Sequence, residues 1–147
     1  MSKVSIYLNF MGNTIEAFEF YKSVFGTEYT APVLYMGDGP SCPAMPPLAE
    51  ADKGKVMHVA LPILGGTEIM GTDMQESMGQ KLVVGNNTTI NLQPDSREET
   101  ERLYKLLSKD STECMPLQDM FWGDYWGVCL DKFGIRWMFN HSKNQGE

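Results

Sequence analysis

The order of elements in this chain is written twice, and that repetition limits the folds open to it more than any other feature. Residues 4–10 alternate, with Val4, Ile6, Leu8 and Phe10 on one side and Ser5, Tyr7 and Asn9 on the other. A period of two is the mark of a half-buried strand. The spacing then predicts a helix over 13–25. Asn13 is placed to cap it, Glu16 to complete a capping box, and Gly26 to end it. Phe18, Tyr21 and Phe25 give that helix an apolar face. Strands are expected at 28–35, 55–63 and 67–73, the last two joined at Gly65-Gly66. Residues 36–54, rich in Gly, Pro and Ala, read as a long surface excursion with a short helix near 48–51.

After a polar, Gly-rich connector at about 74–87 the same order returns. A strand is expected at 88–93. A helix capped by Ser96, with Glu99 at the capping-box position, runs to about Lys109. Strands follow at 112–117, 125–131 and 135–140, with a turn at 132–134 between the last two. Two local matches support the repeat. Glu16-Ala-Phe-Glu-Phe-Tyr-Lys22 parallels Glu99-Thr-Glu-Arg-Leu-Tyr-Lys105, and the hairpin from His58 to Met70 parallels that from Gly127 to Met138. The reading is an α+β chain of tandem βαβββ modules in one domain, 1–147, with module 1 at about 1–75 and module 2 at about 88–141.

Charge removes several partner classes. Lys and Arg number 12 against 19 Asp and Glu, for a formal charge of −7. Such a surface repels phosphate backbones and anionic headgroups, so neither nucleic acid nor a membrane is an expected partner. Cys42, Cys114 and Cys129 are odd in number and form no C-x-x-C pair, which argues against a disulfide framework or a zinc knuckle. No apolar run is long enough to span a bilayer, and residues 1–4 lead directly into a strand pattern without signal-peptide features. A cytoplasmic location with reduced thiols is the expectation.

Several stretches resemble the PhnB-like branch of the glyoxalase/bleomycin-resistance/dioxygenase (vicinal oxygen chelate) superfamily. They are Tyr7-Leu-Asn-Phe10, Gly12-Asn13 with Glu16-Ala-Phe-Glu-Phe-Tyr-Lys-Ser-Val-Phe-Gly26, Met57-His-Val-Ala-Leu-Pro62, Met70-Gly-Thr-Asp73, Phe121-Trp-Gly123 and Asp131-Lys-Phe-Gly-Ile-Arg-Trp-Met-Phe-Asn140. The resemblance implies a curved mixed sheet around a cavity, each module supplying half a barrel with its helix outside, the halves related by a pseudo-twofold. It also implies a homodimer. Strand parity would then turn Ile6, Leu8, Met57, Val59, Leu61, Ile90, Leu92, Trp137 and Phe139 toward the helices. Ser5, Tyr7, Asn9, His58, Ala60, Met70, Thr72, Thr89, Asn91, Cys129, Arg136, Met138 and Asn140 would face the cavity.

The metal enzymes of the resembled superfamily draw four ligands from the first and last strands of the modules. Carried onto this chain, those positions fall at about Ser5 or Tyr7, Met70, Thr89 and Met138. None is His, Asp or Glu, and thioethers with hydroxyls suit Mn, Ni or Zn poorly. No metal and no other cofactor is therefore expected. Members of the family at times carry a ubiquinone-pathway methyltransferase label. No G-x-G-x-x-G, P-loop or G-x-S-x-G segment occurs here, and nothing resembles a nucleotide loop for S-adenosylmethionine.

His58 is the leading candidate for chemistry, with Tyr7 beside it. A neutral imidazole in a cavity can orient a ligand or move a proton. The alternative is a core histidine satisfied by Tyr7, Asn9 or Thr72. Tyr7, Phe121, Trp122, Tyr125 and Trp126 could stack on a flat ligand, with Trp122 near the rim, or could simply pack. Arg136 could receive an anionic ligand, but pairing with Glu68 is the expectation. The expected ligand-binding set is Tyr7, Asn9, His58, Met70, Thr72, Asn91, Trp122, Met138 and Asn140, contacting a small organic molecule. The residues leave three functions open: binding of that molecule, a glyoxalase- or dioxygenase-type reaction using His58 or an atypical metal site, or a purely interaction role with the cavity filled by its own side chains.

Overall fold

In the first half of the chain, five segments assemble as one helix against four strands. They are β1 (Ile6–Phe10), α1 (Thr14–Phe25), β2 (Leu34–Tyr35), β3 (Val56–Pro62) and β4 (Glu68–Asp73). The sheet order is β1-β4-β3-β2; β1 runs parallel to β4 and the other neighbours are antiparallel. The computed structural model describes residues 1–39, 44 and 47–143 and divides the chain into two compact units, Met1–Val83 and the residues from Val84 onward. Cys42, Pro40, Pro43 and Pro46 of the expected excursion lie outside the described residues.

Register explains which face of this first sheet is dry. Ile6 lies level with Ile69 and Leu61, and Leu8 with Gly71 and Val59. These side chains share one face and meet the buried Ala17, Phe18, Tyr21 and Val24 of α1. Gly71 is required there. A Cβ at that position would stand 2.5 Å from the Phe18 ring, which rests directly on the β4 backbone.

The start of α1 is held differently from the expectation. The Asn13 side chain makes no capping bond. The buried Asp73, at the end of β4, takes its place. One carboxylate oxygen accepts the Gly12 N–H at 3.0 Å, the Thr14 N–H at 3.2 Å and the Thr14 hydroxyl at 2.6 Å. The other accepts the Val56 N–H at 2.8 Å. Asp73 therefore ties the β1–α1 loop, the helix N-terminus and the start of β3 to β4. The far end behaves as read: Gly26 adopts φ 65° and its N–H reaches the Lys22 carbonyl at 2.9 Å.

Three further expectations are corrected in this unit. The strand expected at 28–35 shortens to Leu34–Tyr35, because Pro32 has no N–H to give a ladder. The helix near 48–51 is a three-residue 3₁₀ turn, Glu50–Asp52. Met57 is 38% exposed while Val56 is 1% exposed. The alternation breaks where the Val56 N–H turns to Asp73 and the pairing with β2 shifts register.

The second unit repeats the plan with β5 (Ile90–Leu92), α2 (Arg97–Leu107), β6 (Glu113–Asp119), β7 (Asp124–Leu130) and β8 (Arg136–Ser142). Its order is β5-β8-β7-β6, with β5 parallel to β8. Glu16 and Glu99 are the third residues of their helices, and Tyr21 and Tyr104 the eighth. Here the helix cap is local: the Ser96 hydroxyl accepts the Glu99 N–H at 3.1 Å. Glu99 itself pairs with Arg102 at 2.7 Å.

One cavity assignment is corrected by register in this unit. Cys129 lies level with Trp137, and both are buried on the face carrying Ile90, Leu92 and Phe139. Cys129 thus faces α2. Tyr125 also turns to α2: its hydroxyl donates to Glu101 at 3.0 Å and the Arg97 guanidinium lies 3.7 Å from its ring centre. Arg97 in turn holds Asp119 of β6 at 2.8 Å. Among the described residues, no helix is long and apolar enough to cross a membrane.

The two caps make contrasting predictions for urea unfolding. Asp73→Ala strands buried donors in three segments and should cost about 3 kcal/mol. Asn13→Ala should change stability by less than about 0.5 kcal/mol, because no capping bond is lost. Ser96→Ala should cost about 1 kcal/mol, the usual value of an N-cap.

Candidate functional site

The sheet face turned away from α1 carries the first group of candidates. Tyr7 of β1, Met70 of β4 and Ala60 of β3 lie level with one another, and Asn9 lies level with Thr72. His58 follows two residues before Ala60 on β3. Its ring centroid is 6.0 Å from that of Tyr7, with the planes tilted by 35°. Tyr7 is 50% exposed. Met70 accepts the Ser5 hydroxyl at 3.8 Å, and the Thr72 hydroxyl donates to the Val56 carbonyl at 3.2 Å. Among the described residues His58 has no hydrogen-bond partner, so the imidazole is not a core group satisfied by Tyr7, Asn9 or Thr72.

The second unit presents the corresponding face away from α2. Asn91 of β5 lies level with Met138 of β8 and Val128 of β7. Asn140 lies level with Trp126, and Arg136 with Leu130. Arg136 does not pair with Glu68, as the sequence suggested. It reaches Glu113 across the sheet at 3.3 and 3.4 Å, while Glu68 pairs with Lys3 at 3.5 Å. The β6–β7 pairing brings Glu113 level with Leu130, within reach of the strand beyond. Two buried polar atoms on this face, Arg136 Nε and Asn140 Oδ1, have no hydrogen-bond partner. They flank Met138 along the same side of β8.

Trp122 lies on the turn between β6 and β7. Its indole N–H donates to Asp124 at 3.0 Å and its ring meets Phe121 nearly at right angles, centroids 4.9 Å apart. Phe121 is 97% exposed and Trp122 51%. The structure thus gathers Tyr7, Asn9, His58, Met70 and Thr72 on one sheet face, and Asn91, Met138 and Asn140 on another. Trp126, named above as a stacking candidate, shares the second face with Val128 and Met115, which were missed. Counting in twos from Met138 back through the 132–134 turn would have found Val128.

Register also refines the positions where the resembled enzymes hold a metal. Met70 is level with Tyr7, and Met138 with Asn91 rather than Thr89. A phenol, an amide and two thioethers are still poor donors for a hard or borderline cation. Among the described residues, no three His, Cys, Asp or Glu side chains come together as a metal-holding group. The donor set does not fit the superfamily metal.

Comparison with known proteins gives a consistent set of likenesses. A family model described as 3-demethylubiquinone-9 3-methyltransferase matches residues 2–139. Protein YjdN of Escherichia coli K12 is 28% identical over 147 residues, covering 97% of each chain. The crystal structure of protein PA1353 from Pseudomonas aeruginosa superposes with a TM-score of 0.82 at 32% identity, covering 97% of this chain and 98% of that one. The PhnB protein of Bacillus cereus follows with a TM-score of 0.73 at 24% identity, over 96% and 100%. The same fold recurs in a glyoxylase/bleomycin resistance protein/dioxygenase domain from Frankia, with a TM-score of 0.63 at 13% identity, over 98% and 94%.

The unpartnered Asn140 oxygen yields a prediction that a structural polar residue would not. Asn140→Leu removes a buried acceptor that stabilises nothing. Thermal and urea melts should show stability unchanged or raised by up to about 1 kcal/mol. A fall of about 2 kcal/mol would mean that the amide has a structural partner in solution.

Proposed function

Because the chain belongs to the 3-demethylubiquinone-9 3-methyltransferase (PhnB-like) family, within the glyoxalase/bleomycin resistance/dioxygenase structural superfamily, we propose that it is a metal-independent binding protein for a small organic molecule. The observation that carries this reading is the pair of buried, unpartnered polar atoms at Arg136 and Asn140. Proteins leave few such atoms unsatisfied, and a face that keeps two of them on one strand suits a ligand with complementary groups. Such a ligand would present a donor to Asn140 Oδ1 and an acceptor to Arg136 Nε. Met138 between them supplies a soft apolar contact. On the first unit, Tyr7 and His58 offer aromatic surface and two hydrogen-bonding edges.

Methyl transfer is outside this reading. The family description names it, but the chain has no loop suited to the nucleotide of S-adenosylmethionine. A second reading rests on His58. Its imidazole is free of hydrogen bonds and lies beside a half-exposed phenol, so it could pass a proton to or from a bound substrate. Under either reading the protein acts as a cytoplasmic homodimer without nucleic-acid or membrane partners.

Native mass spectrometry of freshly purified protein should reveal a co-purified small molecule, and elemental analysis should find no stoichiometric Mn, Ni or Zn. His58→Ala should weaken binding of that molecule by about tenfold or more, a loss of about 1.4 kcal/mol. Its melting transition should move little, because no hydrogen bond is lost. A sharp drop in melting temperature with unchanged affinity would make His58 structural. Turnover of the captured molecule that disappears in His58→Ala would favour the enzymatic reading.

A further inference from the structure

Cys114 of β6 and Cys129 of β7 are register partners across an antiparallel pair. Residues directly opposed in such a ladder have Cα atoms about 4.5 or 5.5 Å apart and point to the same face. Both separations lie within the range of about 4.4–6.8 Å that a disulfide spans. The sequence concealed this pairing, because fourteen residues and a hairpin turn separate the two cysteines. Both are free thiols, Cys114 exposed and Cys129 buried at 1%. Both lie near Tyr104 of α2. Burial, and after it the nearby Cys114 and Cys129 thiols, push its phenol up to about 12.

We propose that Cys114 and Cys129 form a redox-modifiable dithiol, which closes to a cross-strand disulfide when it meets a low-molecular-weight disulfide. The exposed thiol reacts first. The Cys114 thiolate attacks one sulfur of the incoming disulfide, and one small thiolate leaves. Cys129 then gives up its proton to water and attacks the Cys114 sulfur, and the second small thiolate leaves. Two protein thiols are oxidised by two electrons, and one small disulfide is reduced to two thiols.

The two positions divide the work by access and acidity. Cys129 is pushed up to about 12, chiefly by burial and then by Asp131, so it is a poor direct nucleophile near neutral pH. Cys114 is open to reagent at the edge strand of its sheet. Linkage should therefore quicken with rising pH, as both thiols must shed protons. Native alkylation at about pH 8 should mark Cys114 and spare Cys129.

The test uses the full chain, folded, in a glutathione disulfide buffer. Non-reducing peptide mapping should recover one link, Cys114 to Cys129, with the loss of two hydrogens. Cys42→Ser should form it equally. Cys114→Ser and Cys129→Ser should each abolish it, and Cys129→Ser should stop at a stable glutathione adduct on Cys114. Two free thiols in the folded Cys42→Ser variant after prolonged oxidation would overturn the proposal. So would an oxidised wild type whose only links involve Cys42. Circular dichroism of each variant shows that the fold tested is intact.

Discussion

The Asp73 carboxylate is the point on which the first unit turns. It collects hydrogen bonds from the loop before α1, from the first turn of α1 and from the first residue of β3. Buried backbone donors need partners, and here three segments share one acceptor group. A side chain from the last strand of the unit therefore finishes the helix that follows the first strand. The second unit solves the same problem locally, through Ser96. The repeat preserves helix position and sheet order, but not the interaction that fixes the helix start.

That asymmetry extends to the faces turned away from the helices. In the first unit this face pairs an exposed phenol with an imidazole. In the second it carries an arginine held at one side by Glu113, a methionine and an asparagine. Neither set contains the carboxylates or clustered imidazoles that hold a hard cation. The same scaffold geometry that positions metal ligands in the resembled enzymes here positions groups suited to aromatic and amide contacts. Chemistry belongs to the side chains on the strands, and the fold only brings them to one side.

Much of this was readable in the letters, because alternation and capping are local. The two helices, the tandem order and the burial of Leu8, Val59, Leu61, Trp137 and Phe139 follow from short-range pattern. The failures share a cause: each depended on a partner far along the chain. Asn13 yielded its cap to Asp73. Met57 lost its buried place to Val56 where register shifts. Cys129 was misplaced because a period of two gives a face only once the register across strands is known. Arg136 found Glu113 two strands away, which no spacing rule along the chain could indicate. Of the candidate site, Tyr7 and His58 were paired correctly, while the orphaned atoms of Arg136 and Asn140 could be seen only in three dimensions.

The parallel pairing of β1 with β4 carries a consequence for the order of folding. Ile6 meets Ile69, 69 − 6 = 63 positions later, and no nearer strand pairs with β1. During synthesis, β1 is made first and finds its ladder last. It remains an unpaired, apolar edge until the whole β3–β4 hairpin has emerged. In the second unit Ile90 waits only until Trp137, 137 − 90 = 47 positions. The difference in closure entropy between such loops is small. The difference in exposure is not, since the amino-terminal strand must pass through most of its unit's synthesis without a neighbour.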